Sequence, residues 1–563
     1  MKAMTRRRHS ASEATCAKKG TTSREPRVAI IGAGMAGIAA AARLSKFGHA
    51  FDVFEQSPAL GGTWYDAQYP GAAVDTPQPM YSFSFTRRQS FSRTYTTQPE
   101  LLAYLNSTVD SLGIREHFHF GVQVLEAAWS DETAGYTLSL SNGDQARYDV
   151  VVTAVGSLNN PRYPDWPHLN DFGGTAFHSA RWRKVNLTGK RVAVVGTGSA
   201  SAQITAAIAP RVAELLVFQR QPGWLLPKPD RVYSESERAL LARPLRRACL
   251  RGKQFVASEI AAASGGRGVT QKPGSRANRR DQAQCEKYIA EVFANRPDLR
   301  ALVTPSYPFG GKRIIRDSNY YPALLGDNVR LIPRAVVDAY EDGLIDADGE
   351  RHAVDVIVMA TGYQASNYLG TVRVIGRGGR ELAQVWDGEP SAFMGLTVPG
   401  FPNFYIMFGP NTFSTHLTHL FEHQAAYVER CVRRIRGRGR VVIEVKPRWH
   451  RAYNRIIQRL LSRTVTANAV RSGVHNYYAA PSGRIVATLP ISNGLYALLL
   501  RVLGRMSTTA VPAPSEAYCR YVADSDDVMR RVTSSNDNHS EDVSQSNERA
   551  SNSNAIDDPR LAL

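Results

Sequence analysis

Two glycine-rich loops, each set between an apolar strand and a helix of small residues, limit this chain more than any other feature. The first, Gly32-Ala-Gly34-Met-Ala-Gly37, follows Val28-Ala-Ile-Ile31; the second, Gly196-Thr-Gly198-Ser-Ala-Ser201, follows Val192-Ala-Val-Val195. In that context the glycines have separate tasks: a tight turn, close backbone approach to a pyrophosphate, and close helix–strand packing. The phosphates then lie at a helix N-terminus, where free amides and the helix dipole favour anions. The expected fold class is α/β, with two Rossmann-like dinucleotide-binding domains. The strands after the two loops end differently. Phe51-Asp-Val-Phe54 ends at Glu55, whose carboxylate can accept hydrogen bonds from free ribose hydroxyls. Leu215-Leu-Val-Phe218 ends instead at Gln219-Arg220, with no acid and a guanidinium suited to a 2′-phosphate. The simplest pair of dinucleotides is FAD at the first loop and NADPH at the second.

A chain of 563 residues exceeds one ordinary core, so two or three domains are expected. The reading places an FAD-binding domain at residues 26–165 and an NADPH-binding domain at 166–334. The FAD domain then resumes over 335–524, which makes it discontinuous. Residues 1–25 are basic and Ser/Thr-rich and residues 525–563 are Ser/Asn/Asp-rich; both are expected to be disordered. From about 234 to 300 an Ala/Arg/Leu/Glu-rich stretch, interrupted at Ser264-Gly-Gly266, reads as helices inserted in the NADPH domain. Two further apolar runs close on glycine, Asp149–Gly156 and Asp355–Tyr363, and the second is expected to return to the FAD domain.

The net charge of +19 gathers partly in the N-terminal tail and partly in Arg430-Cys-Val-Arg-Arg-Ile-Arg-Gly-Arg-Gly-Arg440. No nucleic-acid motif accompanies it, so a solvated tail and a basic helix end are the expected reading. Cys16, Cys249, Cys285, Cys431 and Cys519 form no CxxC pair, which argues against a disulphide framework, a zinc site or a dithiol reductase centre. A reducing, cytoplasmic location fits that pattern and the lack of a secretory apolar segment. Leu495-Tyr-Ala-Leu-Leu-Leu500 with Val502-Leu503 is interrupted by Arg501 and too short to span a bilayer. It reads as a core helix or a surface membrane contact, without stable insertion.

Several separated blocks succeed one another: Gly61-Gly-Thr63-Trp64-Tyr65-Asp66, Tyr69-Pro-Gly71, Val74-Asp75-Thr-Pro77, Phe172-x-Gly174-x-x-x-His178-x-x-x-Trp182, and Tyr307-Pro-Phe-Gly-Gly-Lys312-Arg313. On these blocks the chain resembles the flavin-dependent Baeyer–Villiger monooxygenases, class B flavoprotein monooxygenases, over about residues 27–490. The Phe172–Trp182 block matches that family's fingerprint. The Gly61–Pro77 blocks look like the branch that includes aryl-ketone monooxygenases. Three positions depart from the pattern: Arg183 after Trp182, Gln68 before Tyr69, and Ser201 in the second loop. Arg183 is more like the sister flavin-containing monooxygenases, which oxidise nitrogen and sulfur.

The resemblance implies an NADPH- and FAD-dependent oxygenation of a ketone to an ester or lactone through a C4a-peroxyflavin, with O2 as co-substrate. It implies Arg313 as the catalytic cation and Asp75 as its partner. Arg220, Gln221 and Lys312 would clamp the 2′-phosphate. Thr63, Trp64, Tyr65, Asp66 and Tyr81 would contact FAD; Thr197, Ser199, Ala200, Ser201, Ala202 and Gln203, with Gly196 and Gly198, would form the NADP loop. Residue type alone is weaker. A Lys-Arg pair after two glycines reads as surface charge, and Asp75 before Thr76-Pro77 reads equally as a turn cap. His178, the tempting general base, is expected to be structural. No metal site is expected.

Overall fold

The computed structural model describes residues 25–86, 91–263, 268–436 and 441–512. Nearly all of the two tails expected to be disordered, the Ser264–Gly266 interruption, Cys16, Cys519 and the end of the basic run lie outside the described residues.

Two five-stranded sheets, parallel throughout, carry the architecture. The first runs Phe404–Ile406, Val150–Thr153, Arg27–Ile31, Ala50–Glu55, Phe118–Phe120. The second runs Val329–Ile332, Glu214–Phe218, Arg191–Val195, Val356–Met359, Thr175–His178. In each, the strand before the glycine loop is central. Such strands are covered on both faces, which explains their unbroken apolar runs; Val28, Ile30, Val192 and Val194 are fully buried. Behind the first loop, the helix Met35–Lys46 buries its alanines against the helix Leu417–Ile435, which supplies Leu420, Phe421, Val428 and Val432. The small residues of the first helix let the second pack closely against it.

One expectation is corrected. The Asp355–Tyr363 segment does not return to the FAD sheet: Val356–Met359 pairs with Arg191–Val195 and Thr175–His178 in the second sheet. Asp355 fixes it there by accepting from the Arg191 amide and side chain, both at 2.8 Å. Phe404–Ile406 is the strand that rejoins the first sheet.

Between the paired short strands Leu225–Leu226 and Ile315–Arg316 lie the helices Glu235–Ala242, Pro244–Ala263, Arg276–Val292 and Pro297–Val303. Ser234 and Ser275 cap the first and third, as short hydroxyl side chains do at helix starts. The long Pro244–Ala263 helix turns Arg247 and Arg251 inward, where they donate to the carbonyls of Thr86 and Pro79. The helical stretch is thereby tied to the first domain. The late helix Asn493–Met506 buries Tyr496, Leu500 and Gly504 and leaves its opposite face open. Among the described residues, no helix is long and apolar enough to cross a membrane.

Candidate active site

The two glycine loops open on one cavity of about 1370 Å³, which both Gly32-Gly34 and Gly196-Gly198 line. A pocket for one small molecule usually holds ~300–1,000 Å³, so this space suits two dinucleotides and a further small molecule. The carboxyl ends of parallel strands are where such folds place ligands.

Within the loops, each glycine answers a different constraint. A Cβ on Gly32 would stand 2.7 Å from the Ala154 carbonyl oxygen, and one on Gly196 2.4 Å from that of Ala360; both have positive φ. Gly34 and Gly198 are different. Protein leaves the space before them open, with only Gly62 Cα at 3.6 Å from a Gly34 Cβ and nothing within 4 Å at Gly198. The bare backbone there faces the cavity, as an approaching pyrophosphate requires. Gly37 does not reach the wall; its Cβ would lie 1.9 Å from Gly32 O, so its role is helix-to-loop packing.

Glu55 is buried at the cavity edge. Its Oε2 accepts from Ala33 N at 2.7 Å and its Oε1 from Ser57 N at 2.9 Å. The carboxylate thus pins the loop, while each oxygen keeps a further lone pair for a ribose hydroxyl. Thr63, Trp64 and Asp66 line the cavity from the short helix Thr63–Asp66. Trp64 Nε1 donates to Tyr81 Oη at 3.2 Å. Tyr65 lies off the cavity wall, and its carbonyl accepts from Gln68 Nε2 at 3.1 Å. Asp66 pairs with Arg181 at 3.1 Å, and burial raises its pKa against that pairing.

On the second loop, Thr197 Oγ1 donates to the Gln221 carbonyl at 3.1 Å. Gln203 ties the domains: it accepts from Tyr69 Oη and donates to Ala73 O, both at 3.1 Å. Ser199 and Ala200 line the cavity. Ser201 and Ala202 do not, because Ser201 bonds back to Gly196 O and Ala202 is buried in the core. Gln219 turns inward to Leu302 O, so the wall offers Arg220 and Gln221 instead. Lys312 joins them. Burial, then the charge of Arg220, pushes its pKa down to about 8. Burial, then Arg220, Arg162 and Lys312, likewise lowers His475. These cations disfavour one another's charge, and a bound dianion would relieve them. Arg162 and His475 belong to no motif and escaped sequence reasoning.

Arg313 and Asp75, 238 positions apart, meet at 2.9 Å on the cavity wall. Burial disfavours the guanidinium charge, but Tyr477, Asp75 and Tyr478 outweigh it and hold the pKa well above its ordinary value. Asp75 Oδ1 is buried without a hydrogen-bond partner, so a donor from a bound molecule has a place there. Phe413 lies 5.8 Å from the guanidinium carbon, and the rings of Tyr477 and Tyr478 stand 4.5 Å apart. Asn476 holds this group by donating to Gly311 O at 2.6 Å. Residues Phe413 to Leu417 continue the wall beyond Arg313.

The fingerprint block is scaffolding. The buried ring of Phe172 fills the space that a Gly174 side chain would need, at 2.4 Å from its Cβ position. His178 is fully buried, and Nδ1 accepts from Ala180 N. Desolvation pushes its pKa down to about 4, so it is neutral. Trp182 packs edge-on against Phe177 at 5.0 Å. Arg183 is exposed and outside the cavity wall.

A family profile described as pyridine nucleotide-disulphide oxidoreductase matches residues 26–243. The described cysteines Cys249, Cys285 and Cys431 are free thiols. A Baeyer-Villiger monooxygenase of Streptomyces coelicolor is 36% identical over 478 residues, covering 82% of this chain and 88% of its own. One from Pseudomonas aeruginosa is 36% identical over 469 residues, covering 82% and 87%. The crystal structure of cyclohexanone monooxygenase from Rhodococcus sp. Phi1 bound to NADP+ is similar at a TM-score of 0.78 and 27% identity, covering 87% of this chain and 99% of that one.

Proposed function

The chain belongs to the Baeyer–Villiger monooxygenase family, and from that premise we propose that this NADPH-dependent flavoprotein monooxygenase inserts one oxygen atom of O2 beside a ketone carbonyl. Ketone, O2, NADPH and a proton give ester or lactone, water and NADP+. The observation that carries the reading is the placement of Arg313, held by Asp75, in the cavity that both glycine loops open on. FAD held at the first loop and NADPH at the second would supply the electrons and the activation of O2.

The protein's own part is positioning and electrostatics. Gly32, Gly34 and Glu55 hold the first dinucleotide, with Thr63, Trp64, Asp66 and Tyr81 beside it. Gly196, Thr197, Gly198, Ser199 and Gln203 hold the second. Arg313 presents a cation that cannot lose its charge at working pH, where negative charge develops on oxygen. Asp75 fixes its direction and leaves Oδ1 for a donor on a bound cofactor. No side-chain base is required, and neutral, enclosed His178 is not one. Arg183, exposed and off the wall, gives no support to nitrogen or sulfur oxidation as the main activity. Holoenzyme incubated with cyclic and aryl ketones and, separately, a thioether tests the reading. Ester or lactone dependent on NADPH is expected; sulfoxide alone would overturn it.

Arg220, Gln221 and Lys312 are read as the 2′-phosphate site. Losing one desolvated charge-assisted contact costs ~1.5–3 kcal/mol, so Arg220→Ala should raise the KM for NADPH roughly ten- to a hundredfold and leave NADH little changed. Equal losses with both cofactors would contradict the assignment. Lys312 adds a pH dependence of fixed sign. A bound phosphate favours protonated Lys312, so binding raises a pKa that stands at about 8 in the free protein. NADPH affinity is therefore full below that pH and declines above it, by up to ~tenfold per pH unit. Lys312→Arg should flatten the decline, measured as KM for NADPH from pH 7 to pH 9.

A further inference from the structure

The helix Pro244–Ala263 has two faces with different surroundings. Gln254, Ala257, Ser258 and Ala261 line the cavity. Outward, Leu245, Val256 and Ile260 are 83%, 56% and 63% exposed. The helix Asn493–Met506 joins it end-on. Glu259 accepts from the amides of Asn493 and Gly494 at 3.1 and 3.0 Å. Gly494 is bare because its Cβ would meet the Glu259 carboxylate at 2.7 Å. Along this second helix Leu495, Leu498, Val502 and Met506 recur at helical spacing and are 44% to 56% exposed. Single exposed aliphatic residues are ordinary; a stripe along two joined helices marks an interaction surface.

On these two helices the uncommitted charge has one sign. Arg246 and Lys253 are exposed on the first helix and Arg501 and Arg505 on the second. The second helix carries no acid, and Glu259, the one acid of the first, is engaged in the cap. Where the second helix ends, Lys446 N donates to Ser507 O. The helix after Lys446, Pro447–Leu461, exposes Arg448, Arg451, Arg455 and Arg459 and also lacks acids.

We propose that this face docks on an anionic lipid bilayer, peripherally, with the aliphatic stripe among the headgroups and the arginines on lipid phosphates. Aliphatic residues with flanking cations are what an interfacial helix needs. Single-stranded nucleic acid would ask for exposed aromatic platforms, which the stripe lacks. A second copy meeting the same patch would bring like charges together. The proposal goes beyond the oxygenation chemistry and does not depend on it: it sets the outer side of the cavity-lining helix against the bilayer.

The test is cosedimentation of FAD-loaded full-length chain with vesicles of phosphatidylglycerol and phosphatidylcholine, or phosphatidylcholine alone, at physiological salt. Binding to the anionic vesicles alone is expected. The double variant Leu498→Asp, Val502→Asp should cut the bound fraction at least ~tenfold. Arg501→Glu with Arg505→Glu should act in the same direction. Flavin content and activity on a water-soluble ketone should stay unchanged in both, which separates lost docking from lost folding. Unbound wild type, or aspartate variants that bind as well as wild type, would overturn the proposal. So would displacement from vesicles by an oligonucleotide, or a concentration-dependent dimer that the aspartate pair abolishes.

Discussion

Arg313→Ala is expected to keep FAD bound and to lower ester formation by about 10²–10³-fold, the usual effect of removing one preorganised electrostatic stabiliser. The side chain is 33% exposed on the cavity wall, and a bound molecule that displaces water there meets its charge at close range. In the proposed role its work comes after flavin reduction, so NADPH oxidation is expected to continue as uncoupled turnover that releases hydrogen peroxide. Arg313→Lys should rescue little. An ammonium lacks the planar fork that can meet Asp75 Oδ2 and a reacting oxygen together. Asp75→Ala should weaken the same step by freeing the guanidinium. Because the two groups act as one unit, the double variant should be scarcely worse than Arg313→Ala alone. Flavin spectra, peroxide release and product yield on the four variants check each part. Near-native ester yield from Arg313→Ala would make the pair a structural ion pair only.

Gly34→Val is expected to yield protein that folds but carries under about a tenth of the normal flavin, because the added side chain fills the space a pyrophosphate must enter. The geometry makes this more specific than a general claim about glycine loops. Within the protein a Cβ at Gly34 meets nothing nearer than Gly62 Cα at 3.6 Å, so the conflict is with the ligand. At Gly37 the Cβ would lie 1.9 Å from Gly32 O, so Gly37→Ala should destabilise the apoprotein itself. Thermal unfolding of the flavin-free forms separates the two: Gly34→Val near wild type, Gly37→Ala clearly lower. Normal flavin content in Gly34→Val would remove the first loop from the FAD site.

Both parallel sheets were legible because their central strands announce themselves with apolar runs and glycine loops. The places of Glu55 and Arg220 on the cavity wall were legible because each stands at the end of the strand after a glycine loop. The partner of Val356–Met359 was not. Four apolar residues suit the centre of either sheet, and the Asp355–Arg191 contact that decides it spans 164 positions. Arg162, His475, Asn476, Tyr477 and Tyr478 were missed because loops bring them to the cavity, and loops carry no periodicity to read. Tyr65, Ser201 and Ala202 were placed at the site by their neighbours in sequence. On a helix, though, adjacent residues point about a quarter-turn apart, and these three face away. The fingerprint histidine shows the same limit from the other side. Its residue type suggests proton transfer, while full burial and a pKa pushed down to about 4 leave it neutral.

The central claim is that the oxygen added to the ketone comes from O2 at the expense of NADPH, and isotopic oxygen tests it most directly. Holoenzyme turned over with a ketone, NADPH and ¹⁸O2 should give ester or lactone carrying one ¹⁸O atom, in near-equal amount to the NADPH consumed. NADPH consumed with unlabelled ketone recovered, and all label found in hydrogen peroxide and water, would contradict it.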